Sequence, residues 1–146
     1  MRFHKLEDSF SFPQWTSRKE FAAFLHDNLK PYEDRPEDIE RGIDYAFSDA
    51  PGMGGFVLIA EDDKHLVGGL VMLKTGMKGY IPENLLLFVA VDKNRRGKGI
   101  GRRLIEDALH ECEGDVCLHV EYENPAKRLY ERMGFTSKYA EMRLKR

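Results

Sequence analysis

"LLLFVAVDKNRRGKGIGRRL", residues 85–104, decides the fold. Leu85 to Val91 are all apolar and do not alternate with polar residues, which is the pattern of a strand buried on both faces. Gly97, Gly99 and Gly101 follow, set among four arginines and a lysine. Ile100, Leu104, Ile105 and Ala108 then recur at helical spacing within residues 99–112. In a strand, glycine turn and helix in this order, the first N–H groups of the helix have no intrahelical partner. The macrodipole favours an anion at the same point. Glycine lets the backbone approach that anion with no Cβ in the way. The stretch therefore reads as a phosphate cradle. A tight turn with a solvated basic face is the plainer alternative.

Working outward, "VCLHV" (116–120) reads as a second short buried strand, so residues 85–120 form a βαβ crossover. Its strands should run parallel, with a right-handed connection and their carboxyl ends on one edge. Ligands of such sheets bind at that edge. "NPAKRLYERM" (124–133) reads as a helix with Asn124 as N-cap, Pro125 at the first helical position and Gly134 as its stop. "FTSKYAEMRLK" (135–145) is expected to supply one or two final strands. Upstream, "MRFHKLED" (1–8) is a first strand. Residues 16–30 form a helix opened by a Ser17/Glu20 capping box, with Phe21, Phe24, Leu25 and Leu29 on its apolar face. Residues 35–47 form another, with Pro36 in the first turn. Residues 54–60 and 64–73 are strands joined by the polar turn Glu61–Asp63.

The chain has 146 residues, enough for one domain spanning 1–146 with a sizeable core. Its net charge of −2 is unevenly placed: residues 1–90 carry 10 Lys+Arg against 15 Asp+Glu, and residues 91–146 carry 13 against 10. A local basic site that meets an anion fits this better than a surface made for nucleic acid. Cys112 and Cys117 lack metal spacing and read as free thiols of a reducing cytoplasm. The first ten residues hold no apolar core of a signal peptide, and no apolar run approaches the length of a membrane span.

Two familiar phosphate loops fail on named residues. A Walker loop needs Ser or Thr after its lysine, and Gly99 follows Lys98. A dinucleotide loop wants a third glycine where Arg102 stands, and it lies near the start of its unit rather than late in a chain. The stretch "VAVDKNRRGKGIGRRLIEDAL" instead resembles the acetyl-CoA-binding motif of the GNAT N-acetyltransferase superfamily, Arg/Gln-x-x-Gly-x-Gly/Ala, matched at Arg96, Gly99 and Gly101. "LHVEYENPAKRLYERMGF" resembles the later motif of that family, Asn-x-x-Ala-x-x-Leu-Tyr-x-x-x-Gly-Phe. Ala126, Leu129, Tyr130, Gly134 and Phe135 match in register, and Asn124 stands one residue closer to Ala126 than that spelling asks.

The resemblance implies an α/β fold with a mixed sheet of about six to seven strands flanked by about four helices. It implies acetyl transfer from acetyl-CoA, as co-substrate and without a metal, to a primary amine by direct attack in a ternary complex. Cofactor contacts are then expected from Val89, Ala90, Val91, Arg96, Gly97, Lys98, Gly99, Ile100, Gly101, Arg102, Asn124 and Tyr130. A backbone N–H near Val89 or Val91 would polarise the thioester carbonyl, and Tyr130 holds the family position of the acid that protonates the leaving thiolate. An amine with pKa ~10.4 is neutral in about one molecule per several thousand at pH 7, so a base or a water chain is needed. The resemblance also implies that the pantetheine arm lies in a wedge between the strands 85–91 and 116–120; where some members carry a glutamate on the first of these wedge strands, this chain has Leu85. The nearest residue to the glutamate of others is His119, whose unperturbed pKa near ~6.5 suits a base; a hydrogen-bonded buried histidine is the bland alternative. Glu121 is the next candidate, then water alone.

The acceptor would meet the loops "PYEDRPED" (31–38) and "TSKYAE" (136–141). Glu33, Asp34, Asp38 and Tyr139 either receive a cationic amine there or merely solubilise the loops. The partners expected are acetyl-CoA and a small-molecule or peptide amine, with a homodimer open and neither nucleic acid nor membrane. The rival classes are a non-catalytic acyl-CoA-binding regulatory module and a nucleic-acid binder. The second wants stacking aromatics near the basic stretch, and "DKNRRGKGIGRR" has none.

Overall fold

In the computed structural model, which describes residues 1–146, Asp63 and Lys64 both take positive φ, 50° and 61°. That two-residue turn folds β2 (Gly55–Asp62) antiparallel onto β3 (His65–Lys74). β1 (Arg2–Leu6) adds to β2, and β4 (Asn84–Val91) adds antiparallel to β3. β5 (Val116–Leu118) joins β4 in parallel, which completes the order β1-β2-β3-β4-β5. The parallel pair follows from the crossover through α3 (Ile100–Glu111), as the sequence predicts.

Alternation along the strands feeds two cores. On one face, α1 (Arg18–Asn28) and α2 (Pro36–Ala46) bury Phe21, Leu25, Ile39 and Ile43 against Val57, Ile59, Val71, Phe88 and Ala90. On the other, α3 and α4 (Ala126–Arg132) bury Ile100, Leu104, Ile105 and Tyr130 against Phe56, Leu58, Leu70, Met72 and Leu86. Ser17 caps α1 by accepting the Glu20 N–H at 3.1 Å, as its capping pattern predicts. Gly68 and Gly69 let both helix layers settle on β3. A Cβ on Gly68 would stand 2.9 Å from Ile100 and Leu104, and one on Gly69 would stand 2.5 Å from the Phe21 ring.

β4 carries a bulge. Leu86 pairs with Met72 and Phe88 with Val71, which leaves Leu87 as the extra residue. Side chains therefore change sides along the strand. Leu85 and Leu87 lie with Phe88 and Ala90 on the α1/α2 face, whereas Leu86 lies with Val89 and Val91 on the other.

Several sequence expectations need correction. The sheet has five strands, not six to seven, and residues 135–145 form none. Ala140, Met142 and Leu144 do alternate with charged residues. A strand needs a ladder, however, and Tyr139, Met142 and Leu144 are exposed without one. The second wedge strand is shorter than 116–120 and half-buried, because its pairing with β4 stops at Leu118. The last helix starts at Ala126, with Pro125 rather than Asn124 at the capping position. Asn124 still accepts the Ala126 N–H on its Oδ1 at 3.0 Å.

Candidate functional site

The β4–β5 ladder covers only Asn84↔Val116, Leu85↔Cys117 and Leu86↔Leu118, after which pairing ends. The strands thus bound a wedge that opens toward their carboxyl ends. Its closed end is pinned by Asn84, 3% exposed, whose Nδ2 donates to Glu113 O at 2.6 Å and Asp115 O at 3.2 Å. The bulge decides which donors face the wedge. The Asn84 N–H points to the β5 side, bonding Asp115 O, and the Asp92 N–H points to the β3 side, bonding Val67 O. Residues eight apart would face the same way on a regular strand. Counting back from Asp92, the N–H groups of Val91 and Val89 face the β5 side, beyond the last β4–β5 pair.

The glycine loop stands at the same end of β4. Gly97 and Gly99 have φ of 78° and 82°, and a Cβ on either would meet nothing within 4 Å. Gly99 opens α3 without a side-chain cap, and the first helical bond runs from Arg103 N to Gly99 O. The N–H groups of Ile100, Gly101 and Arg102 are therefore uncommitted. Gly101 is a different case. Its φ is ordinary, and a Cβ there would lie 3.4 Å from Val91 and 3.7 Å from Leu129.

Most of the positive charge in this stretch is spoken for. Arg95 pairs with Asp62 at 2.5 Å, Arg102 with Glu106 at 2.9 Å and Arg103 with Asp107 at 3.0 Å. Arg103 also lies over the Phe3 ring. Arg96, though exposed, donates to the carbonyls of Val91 and Asn28. Lys93 and Lys98 remain without a carboxylate partner and exposed.

Tyr130 lies on the α4 side of the wedge, 8% exposed, with Phe135 edge-on at 6.0 Å. Burial pushes its phenol up to about 12. Its hydroxyl has no partner in the chain, yet the one fully enclosed, unpartnered side-chain oxygen is Thr16 Oγ1, so the phenol reaches accessible space. His119 and Glu121 are exposed, so the bland reading of His119 as a buried histidine fails. Val116, Leu118 and Val120 pack against the α3/α4 core, so alternation within β5 turns Cys117 to the opposite face, and His119 is exposed just beyond the end of the strand. Burial pushes the Cys117 and Cys112 thiols up, and both are free. No three His, Cys, Asp or Glu gather as a metal-ligand group, and no helix is long and apolar enough to cross a membrane. A concavity of about 360 Å³ is lined by Asn124, Lys127 and Arg128 but by neither Tyr130 nor the glycine loop.

Four residues near this site escape sequence reasoning: Asn28, Tyr32, Asp62 and Asn84. Each acts through a partner at least 29 positions away. A polar residue within the start of an otherwise apolar strand was the one available signal, at Asn84.

Residues 53–137 match the family described as an acetyltransferase (GNAT) domain. The fold is similar to that of a possible acetyltransferase from Clostridium difficile 630, with TM-score 0.67 and 18% identity over 99% of this chain and 96% of that one. It is similar to ribosomal-protein-alanine N-acetyltransferase from Brucella melitensis biovar Abortus 2308, with TM-score 0.65 and 19% identity over 99% and 97% of the two chains. Aminoglycoside N-acetyltransferase AAC(6')-Iy, in complex with CoA, aligns with TM-score 0.69 and 10% identity over 99% and 95%. No curated protein matches the chain by sequence.

Proposed function

The chain belongs to the GNAT acetyltransferase family, and on that premise we propose that it is an acetyl-CoA-dependent N-acetyltransferase. In this reading one domain, residues 1–146, moves an acetyl group to a primary amine by direct attack in a ternary complex. The observation that carries it is a convergence at the carboxyl end of β4. Strand donors at Val89 and Val91 and helix-start donors at Ile100, Gly101 and Arg102 are free at the same edge. A long ligand with a diphosphate at one end and a thioester at the other matches both sets.

In this role the backbone of Arg96, Gly97, Lys98, Gly99, Ile100, Gly101 and Arg102 holds the diphosphate. Val89, Ala90 and Val91 carry the pantetheine arm in strand fashion, and the N–H of Val89 or Val91 stabilises the charge that develops on the thioester oxygen. Asn124 holds the start of α4. Tyr130 donates a hydrogen bond to the leaving sulfur. With its phenol pushed up to about 12 and a thiol near ~8.5, complete proton transfer runs uphill by roughly 5 kcal/mol. Donation without full release is therefore the role its burial supports. His119 receives the proton of the amine, Glu121 is the next candidate, and a water chain is the third. Tyr130 in the α3/α4 core and His119 exposed beyond the end of β5 suit a buried leaving thiol and an amine that enters from solvent.

The loop after α1, with Glu33 and Asp34, faces a cationic amine, small molecule or peptide; Asp38, in the first turn of α2, is ion-paired to Arg35 and Arg41 and meets the amine only by exchanging one of them. Tyr139 belongs to the same proposal. The two free, half-exposed thiols support a reducing, cytoplasmic setting. The unpaired outer edge of β5 supports a homodimer. The test is titration with acetyl-CoA, then an amine panel followed by CoA thiol release. No binding at sub-millimolar acetyl-CoA rejects the assignment. Binding with no release on any amine establishes the acyl-CoA-binding regulatory module instead.

A further inference from the structure

Asn28 ends α1 and grips the approach to the glycine loop twice. Its side-chain Oδ1 accepts the Lys93 N–H at 3.0 Å, and its carbonyl accepts Arg96 Nη2 at 2.5 Å. Nδ2 donates to Phe24 O at 3.0 Å, one turn back in the same helix, which fixes the amide with Oδ1 toward Lys93. Arg96 Nε also donates to Val91 O at 3.4 Å, so one guanidinium forks between the end of β4 and the end of α1. On the other flank Arg95 is tied to Asp62. Residues 93–96 are thus fastened on both sides, directly before Gly97 and Gly99, which have open space above them.

Asn28 also starts the connection to α2. Four residues on, Tyr32 Oη donates to Glu123 O at 3.2 Å, on the loop that leads into α4. The segment 28–32 therefore runs from the glycine loop on the β4 side to the lip beyond β5.

We propose, on the reading of the wedge as an acetyl-CoA site, that Asn28 is a positioning residue for the diphosphate. It sets residues 93–96 so that the amides of 97–102 converge before a ligand arrives. A preset anion site loses less ordering entropy on binding. The benefit falls only on ligands that carry the diphosphate. S-acetylpantetheine has the thioester arm and lacks that group, so it reports the wedge alone.

The test titrates acetyl-CoA and S-acetylpantetheine into the wild-type chain, Asn28→Ala and Asn28→Gln. Alanine removes the acceptor for the Lys93 N–H, and glutamine displaces it by one methylene while keeping the amide. Both variants are expected to weaken acetyl-CoA about fivefold, the effect of one lost hydrogen bond of about 1 kcal/mol, and to leave S-acetylpantetheine unchanged. Equal losses for both ligands, or parental affinity in the variants, overturn the proposal while the acetyl-CoA reading stands. A wild-type chain that binds neither ligand overturns that reading and this proposal together. Should Asn28→Ala fail to fold, Asn28→Gln decides.

Discussion

Arg95 Nη1 donates to Asp62 Oδ2 across 2.5 Å, joining the stretch before the glycine loop to the end of β2. The hydrogen bond from Arg95 holds the Asp62 carboxyl below its ordinary value of 3.8. A depressed carboxylate contributes stability above its unfolded pKa and loses it as pH falls through its folded pKa. Asp62→Asn should therefore melt slightly below the parent at neutral pH. The difference should close as pH falls below about 3 to 4. Melting curves at several pH values read this directly, and a gap that persists into acid rejects the ion pair as its source.

The three glycines of the loop should not behave alike. Gly97→Ala and Gly99→Ala force a Cβ into φ of 78° and 82°, which costs about 1–2 kcal/mol each. Both should also lose acetyl-CoA affinity. Gly101→Ala meets only contacts of 3.4 and 3.7 Å at an ordinary φ, so its stability should stay near that of the parent. Any loss of affinity at Gly101 is then a statement about the ligand. Thermal unfolding and titration on the same samples separate the two effects.

Lys98 should matter more to the donor than Arg95, Arg102 or Arg103. Arg95, Arg102 and Arg103 are already neutralised by carboxylates, and Lys98 is not. Lys98→Gln is expected to weaken acetyl-CoA several-fold and to flatten the dependence of affinity on salt, as loss of one phosphate contact does. Arg102→Gln and Arg103→Gln should change both less. An unaltered salt dependence in Lys98→Gln counts against the assignment.

Tyr130→Phe should slow turnover roughly tenfold, less than the about hundredfold of a full general acid because the phenol donates a hydrogen bond without complete release, and leave acetyl-CoA affinity nearly unchanged. With the phenol pushed up to about 12, Tyr130 stays protonated through neutral and mildly alkaline pH. A fall in rate between about pH 8 and 9 must then come from another group. The neutral phenol favours the folded state below the unfolded value of about 10, and that contribution is lost as pH rises through about 12. A phenylalanine variant with parental turnover removes Tyr130 from the chemistry.

What could be read from the chain depended on how local the signal was. The run Leu85–Val91, the glycines after it and the helical spacing to Ala108 are consecutive, so β4, the loop and α3 were legible, and the parallel partner followed from handedness. The bulge at Leu87 was not, because an all-leucine stretch looks the same in either register. Residues 135–145 alternate as a strand does, yet alternation says nothing about whether a partner edge is within reach. Asn28 and Arg96 lie 68 positions apart, and neither carries a mark of the other. Arg96 matches the motif position by sequence. Its side chain, however, serves the end of α1, which a motif written for a ligand does not record.

Gly68 and Gly69 stand back to back in β3, and each supports a different helix. A methyl group on Gly68 would lift α3 and the glycine loop that opens it. A methyl group on Gly69 would lift α1 and, with it, Asn28. The two walls of the ligand mouth thus take their height from one dipeptide, in a strand that lends no residue to the site. Drift at these two positions would resize the aperture while the motif sequence itself stayed unchanged.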